Sequence, residues 1–315
     1  MSFVERALKK LQESRAASPG LGLQQPRGAV NADMQAGHAL AYDRSPAPGR
    51  VPPVLNTPVA AVPARVVPTK RLEVDRAALR AAGLLPPEHQ ERQIAGDYRQ
   101  IKRPLIATAT GRGAPQVPNG NVIMVASALP GEGKTFTSVN LAMSIARERD
   151  VQVVLVDADV AKPHISRTLG IDGEKGLLDL LSDEALDVET LLFSTDVQGL
   201  SILPAGLQSD TATELLASTR MEQLLATMSA NDPRRIIVLD SPPLLLTSEA
   251  RVLSAAAGQV VVVVRAGYTA QQAVLDAIGY LGDHGSISLI LNQSQGTASE
   301  GYYHGQVPYG AAAEG

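Results

Sequence analysis

The chain has no cysteine and no tryptophan, and only three phenylalanines among its 315 residues. The first absence excludes disulfides and thiolate metal sites, and it is compatible with a reducing compartment. With aromatics at 3%, the core must be built from Val, Leu, Ile and Ala, a composition suited to a parallel sheet covered by helices. Long apolar runs are missing as well. The longest, VVVVV at 260–264, is bounded by Gln259 and Arg265, far short of the roughly 20 residues that span a bilayer. The opening MSFVERALKKLQ carries Glu5, Arg6, Lys9 and Lys10 where a secretory signal needs unbroken apolar residues, so no signal peptide is expected. None of the five histidines falls in an HxxxH or HExxH spacing and no serine in GxSxG, which leaves a zinc centre or a serine hydrolase without support.

What charge there is lies unevenly. Residues 1–70 hold nine Lys or Arg against four Asp or Glu, a balance of +5, so the net −4 leaves −9 for the remainder. A nucleic-acid footprint on the globular part is not expected. Residues 1–14 read as a short amphipathic helix: Ser2 and Glu5 form a capping box, and Val4, Leu8 and Leu11 share a face. Residues 15–70 contain nine of the 21 prolines and almost no periodicity, the composition of a disordered linker with a reach of roughly 40 Å. From 71 onward helical patterns return, notably VDRAALRAAGLL and ERQIAGDYRQIKR, the second expected to end at Pro104.

After Pro104, strand and helix patterns alternate. Strands are expected at 121–126, 151–157, 200–203, 235–240, 259–265 and 287–291, and helices near 134–147, 176–182, 211–229 and 269–281. Such alternation predicts an α/β fold, a doubly wound and mainly parallel sheet with helices on both faces, over a domain at 71–298 with its core from 92. Residues 299–315 are Gly-rich and read as a flexible tail.

Three motifs carry chemistry. The stretch SALPGEGKTF, 127–136, sits between an expected strand and an expected helix, where Pro130, Gly131, Glu132, Gly133, Lys134, Thr135 and Phe136 can present backbone N–H groups and a cation to phosphate. Thr135 offers a hydroxyl to Mg²⁺. Ala128 stands where the usual first glycine would be, which costs turn freedom without removing donors. The strand end VLVDADVAKP brings Asp157 and Asp159, and IIVLDSPP brings Asp240, to the carboxyl edge of the sheet, where ligands bind in such folds. Asp240 is placed to hold Mg²⁺ through water.

Taken together, ALPGEGKT, VLVDADVAKP, VLDSPP and a tyrosine-bearing tail resemble the bacterial tyrosine kinases of exopolysaccharide synthesis, the BY-kinases, and most closely the free-standing autokinases of exosortase-linked polysaccharide loci. The resemblance covers roughly residues 92–310, with further matches at PAGLQSDTATELL, VVVVRAGYTAQQAV and LILNQ. It implies a P-loop NTPase fold, ATP and Mg²⁺ as cofactors, and an autokinase that phosphorylates tail tyrosines of a neighbouring copy and so regulates polysaccharide polymerisation or export. On that reading Asn292 meets the adenine, Lys134 neutralises the transferring phosphoryl group, and Thr135, Asp159 and Asp240 face the metal. Asp157 is assigned the general base and Asp159 the metal-proximal place. Tyr302, Tyr303 and Tyr309 are the acceptors. Ten residues from Asn292 to Tyr302 reach roughly 33 Å, enough for a neighbour's site.

The resemblance also implies a homo-oligomer, possibly a ring, a cytoplasmic location, and recruitment to the inner face of the membrane by a membrane-spanning chain-length regulator acting through its cytoplasmic segment. The N-terminal helix is the candidate docking element. Departures from the family pattern are Ala161 in place of an arginine, Glu249 in place of an aspartate, and GDYRQIK where ring assembly uses an acid and two arginines. There Gly96 replaces the acid, while Arg99 and Lys102 keep the positive charges. Two other readings compete. One is a ParA/MinD-like ATPase, whose extra loop lysine is here Leu129; the other is a catalytically weak ATP-binding scaffold.

Overall fold

The computed structural model describes residues 70–113, 117–282 and 284–294. The amphipathic helix at 1–14, the linker expected at 15–70 apart from Lys70, which begins the first strand, and the tail tyrosines lie outside the described residues. Eight strands form one sheet: β1 (Lys70–Leu72), β2 (Val122–Ser127), β3 (Gln152–Asp157), β4 (Phe193–Thr195), β5 (Leu200–Leu203), β6 (Arg235–Asp240), β7 (Gln259–Arg265) and β8 (Ile287–Asn292). Their order is β1-β4-β5-β3-β6-β2-β7-β8, and every pairing is parallel except β4 with β5. This is the P-loop NTPase-like α/β fold expected from the sequence.

The central strands show why such a sheet reads as continuous apolar sequence. All six residues of β2 are at most 1% exposed, because helices cover both faces. On one face lies α3 (Lys134–Ile145), packed against β2, β3, β6 and β7 and covered in turn by α2 (Glu91–Thr110). On the other, α8 (Thr219–Asn231) packs on β6 and α9 (Ser248–Ala256) on β2. Burying each large aliphatic side chain contributes about 1.5–3 kcal/mol, so the sheet stands on its covering helices.

The helix expected to stop at Pro104 runs on to Thr110 and ends at Gly111, whose φ of 65° forms a left-handed cap. Proline inside a helix costs about 3 kcal/mol. Tyr98 and Leu105, buried on either side of it, offset that cost, and Gln259 donates its side-chain amide to the Leu105 carbonyl at 3.1 Å. The helix expected over 211–229 is two, α7 (Ala212–Leu216) and α8, broken where Ser218 turns extended and its hydroxyl donates to the Leu215 carbonyl. The remaining helices are α1 (Arg76–Ala81), α4 (His164–Thr168), α5 (Leu177–Ser182), α6 (Val188–Leu191) and α10 (Gln271–Leu281).

Candidate functional site

The sheet brings the three motifs to one edge. Asp157 at the end of β3 lies in register with Asp240 at the end of β6, and Asp240 in register with Val125 of β2, whose chain continues into the phosphate loop. Leading into α3, the loop turns on Gly131 with φ 79° and Gly133 with φ 96°, both left-handed. A Cβ on Gly133 would overlap the side-chain amide of Asn292. Outside glycine, positive φ among the described residues occurs only at Asn119 and Gln293, so Ala128 needs none of glycine's freedom.

The loop is braced from within and from beside. Glu132 is fully buried, and its carboxylate accepts from the Leu129 N–H at 2.8 Å and from the Thr269 hydroxyl. The side chain thus holds the loop rather than facing a ligand; what Glu132 offers phosphate is backbone. Ser127 Oγ donates to the Leu129 carbonyl at 2.8 Å, and Leu244 N–H to the Ser127 carbonyl at 2.8 Å, which staples the segment after Asp240 to the loop. Asn292 Nδ2 donates to the Glu132 carbonyl at 2.9 Å, so the structure places it against the loop, beside a groove of about 1100 Å³ that Phe136 and Tyr98 also line. Phe136 packs its ring against Tyr98, centroids 6.5 Å apart.

Lys134 Nζ pairs with Asp159 Oδ2 at 3.0 Å. Burial alone would lower the lysine's pKa, but the charges of Asp240, Asp159 and Asp157 raise it, so the cation is fixed. Asp240 accepts from Ser138 Oγ at 2.9 Å, and burial, only partly offset by Lys134 and the hydroxyls of Thr135 and Ser138, lifts its pKa to about 6. Asp157 takes both Ser166 N–H at 2.8 Å and Ser166 Oγ at 2.7 Å on its Oδ2; burial and the neighbouring Asp240 lift it to about 7.

One oxygen of each buried acid, Asp157 Oδ1 and Asp240 Oδ2, has no hydrogen-bond partner. Such orphaned hard oxygens, with the Thr135 hydroxyl at the helix start, fit Mg²⁺, which keeps several waters and takes few protein ligands. Among the described residues no group of three or more acids or histidines forms an all-protein cage.

The acids do not face solvent alike. A cleft of about 440 Å³ opens before the loop, lined by Lys134, Thr135 and Asp159 together with Lys162, Arg167 and Leu246. Asp157 lies beneath it, fully buried. His164 also lines the cleft, its pKa lowered by burial and by Lys134 and Arg167. Ser138 and Ser166 were not singled out in the sequence; Ser138 was legible as the residue one turn after Lys134 on the same helix, whereas nothing local marks Ser166.

Two of the departing residues are engaged inside the fold. Lys102, read from the sequence as keeping a positive charge where the family assembles its ring, is 4% exposed, donates to the Ser144 carbonyl at 2.6 Å and pairs with Glu148 at 2.7 Å. It is committed inside the chain, because α2 lies on α3 at that point. Glu249 turns to the Thr213 hydroxyl at 2.7 Å, a bond that lowers its pKa, and does not line the cleft. Arg99 is exposed, and a side chain at Gly96 would meet only its guanidinium at 4.0 Å, so the fold does not demand glycine there.

Comparison with known proteins gives a family and a set of kinases. The family model described as AAA domain matches residues 120–283. Tyrosine-protein kinase etk of Escherichia coli (strain K12) is 31% identical over 147 residues, 47% of this chain and 20% of its own length. Tyrosine-protein kinase ptk of Acinetobacter johnsonii is 31% identical over 145 residues, 46% of this chain and 19% of its own. The chain therefore spans about a fifth of the length of these curated relatives. Among solved structures, the VpsO kinase domain is 29% identical with a TM-score of 0.55, covering 66% of this chain and 100% of that one. The BceF tyrosine kinase domain is 25% identical with a TM-score of 0.54, covering 72% and 92%. The curated relatives are named tyrosine-protein kinases, and both solved structures are kinase domains.

Proposed function

The chain belongs to the AAA-domain family, and from that premise we propose that it is an ATP-dependent protein-tyrosine kinase that phosphorylates Tyr302, Tyr303 and Tyr309 of another copy. The observation that carries this reading is the cleft: a braced phosphate loop, a fixed lysine and a carboxylate line one open hollow in a chain similar to kinase domains, one of them a tyrosine kinase domain.

Phosphoryl transfer needs alignment and charge neutralisation more than covalent chemistry. The N–H groups of the loop and Lys134 would hold the nucleotide's phosphates, with Asn292 and the groove beside Phe136 for its base. Thr135 and Asp240 would hold Mg²⁺, which supplies further neutralisation when bound. The phenolic oxygen of tyrosine forms the new bond to the γ-phosphorus as the bond to the bridging β–γ oxygen breaks, and the phenolic proton passes to a carboxylate.

Of the two neighbouring acids, Asp159 lines the cleft whereas Asp157 is closed beneath it. We therefore place proton acceptance at Asp159, with the unpartnered Asp157 Oδ1 on the metal side beside Asp240, an exchange of the parts read from the sequence. The loss of Lys134 by Asp159 when phosphates arrive is the step that frees its carboxylate.

The domain limits, the docking of residues 1–14 to a membrane-spanning partner, and a role in polysaccharide polymerisation or export belong to the same proposal. No described helix is long and apolar enough to cross a membrane. The test is the intact mass of the full chain after incubation with ATP and Mg²⁺. Gains in steps of one phosphate, absent from Lys134→Met, are expected. ATP binding with unchanged mass, even with the partner's cytoplasmic segment present, would point to a nucleotide-binding scaffold instead.

A further inference from the structure

The lining of the cleft before the phosphate loop is of two kinds. Pro243 and Leu246 are apolar, Leu246 being 63% exposed. Lys162 and Arg167 line the same cleft, both exposed and neither paired with a carboxylate among the described residues. Among the described lining residues the one acid is Asp159, set against the two cations Lys162 and Arg167 as well as its partner Lys134. A cleft that joins exposed apolar side chains to unpaired cations is a surface for an aromatic side chain whose neighbour is anionic.

Resting on the tyrosine-kinase reading above, the geometry points to a cleft that selects acceptor tyrosines by an acidic neighbour, its occupant being the segment SEGYYHG, residues 299–305 of this chain's own sequence in a second copy. Charge complementarity carries the assignment. Residues 295–315 contain Glu300 and Glu314 and no Lys or Arg. Glu300 lies two positions before Tyr302, and in an extended peptide residues two apart share a side. With the phenol laid on Pro243 and Leu246, the Glu300 carboxylate faces Lys162 and Arg167. Tyr309 has no Asp or Glu within four positions.

The place where the chain leaves the described structure agrees. β8 ends at Asn292, hydrogen-bonded to the loop, and the eight residues from Ser294 to Tyr302 stretch to roughly 27 Å, enough to carry the segment past its own loop toward a neighbour. An order of modification follows: Tyr302 before Tyr309.

The test uses the full chain, ATP and Mg²⁺ with two peptides, SEGYYHG and its Glu300→Gln counterpart SQGYYHG. The acidic peptide is expected to be preferred about three- to tenfold in kcat/KM, less so at high salt. In the Lys162→Ala/Arg167→Ala variant that ratio should fall to about one. A ratio near one in the unaltered chain overturns the inference, as does a ratio that survives in the variant. A variant with weaker ATP binding and unchanged peptide preference would overturn it by assigning the two cations to the nucleotide. Labelling of neither peptide nor tail would remove the tyrosine-kinase reading itself, whereas equal labelling of both peptides removes only the selectivity.

Discussion

Replacing Glu132 by alanine removes the acceptor that holds the phosphate loop from inside. Two hydrogen bonds to an ionised group are lost, from Leu129 N–H at 2.8 Å and from the Thr269 hydroxyl, and both donors are left without that partner. Bonds to charged groups contribute about 1.5–3 kcal/mol each, offset in part because a fully buried charge no longer has to be desolvated. The net loss is about 2–4 kcal/mol. In a domain of this size each kcal/mol moves the thermal midpoint about 2–4 °C, so Glu132→Ala should melt about 4–16 °C lower. Glu132→Gln keeps one acceptor oxygen and should lose about half as much. Because the loop's N–H groups are then less well aimed, ATP affinity should fall along with stability, although the side chain itself faces away from the ligand. Calorimetry and titration of ATP on the three chains check this. Unchanged melting, or lowered melting with full ATP affinity, would refute the bracing argument.

Two further outcomes concern buried charge. Asp157 and Asp240 have pKa values raised to about 7 and about 6. The folded protein therefore holds protons that the unfolded chain releases near pH 4, so this contribution to stability is full below that pH and is lost as pH rises through about 6 to 7. The nucleotide-free protein should melt lower at about pH 8 than at about pH 5, and Asp157→Asn should flatten the slope; a midpoint insensitive to pH across that window would contradict it. Away from the site, Arg235 and Glu189 form a buried two-pronged pair at 2.6 and 3.0 Å. Removing either partner alone should cost about 3–5 kcal/mol in denaturant unfolding, and replacing both by apolar residues much less.

The central elements were legible because their pattern has one cause. Strands buried on both faces must be apolar between their ends, and β2, β3, β6 and β7 are. The two short strands at one side of the sheet were not legible: Lys70–Leu72 and Phe193–Thr195 are three residues each, and their pairing is decided by where the chain returns rather than by any local run. Pro104 misled because the local rule that proline ends a helix is overridden by the burial of Tyr98 and Leu105. The motifs located the site because each lies just after a strand, and the sheet brings those ends together. The direction in which a side chain points was not legible. Glu132 turns inward and Lys102 is folded under α2, both decided by neighbours more than 40 positions away in sequence, Thr269 and Ser144 among them. Nothing local in the sequence told which of Asp157 and Asp159 faces the cleft; the Ser166 hydroxyl, nine positions on, bonds to Asp157, while Asp159 lines the cleft.

The central claim is transfer from ATP at the Lys134 loop of one copy to the tail of another. The most direct measurement mixes two altered chains with ATP and Mg²⁺: Lys134→Met with its tail intact, and a chain with Lys134 intact carrying Tyr302→Phe, Tyr303→Phe and Tyr309→Phe. Their intact masses are distinguishable. The account predicts phosphate on the Lys134→Met chain alone, and only when both are present. Phosphate on the chain lacking tail tyrosines, or on neither when the unaltered protein phosphorylates itself, would contradict it.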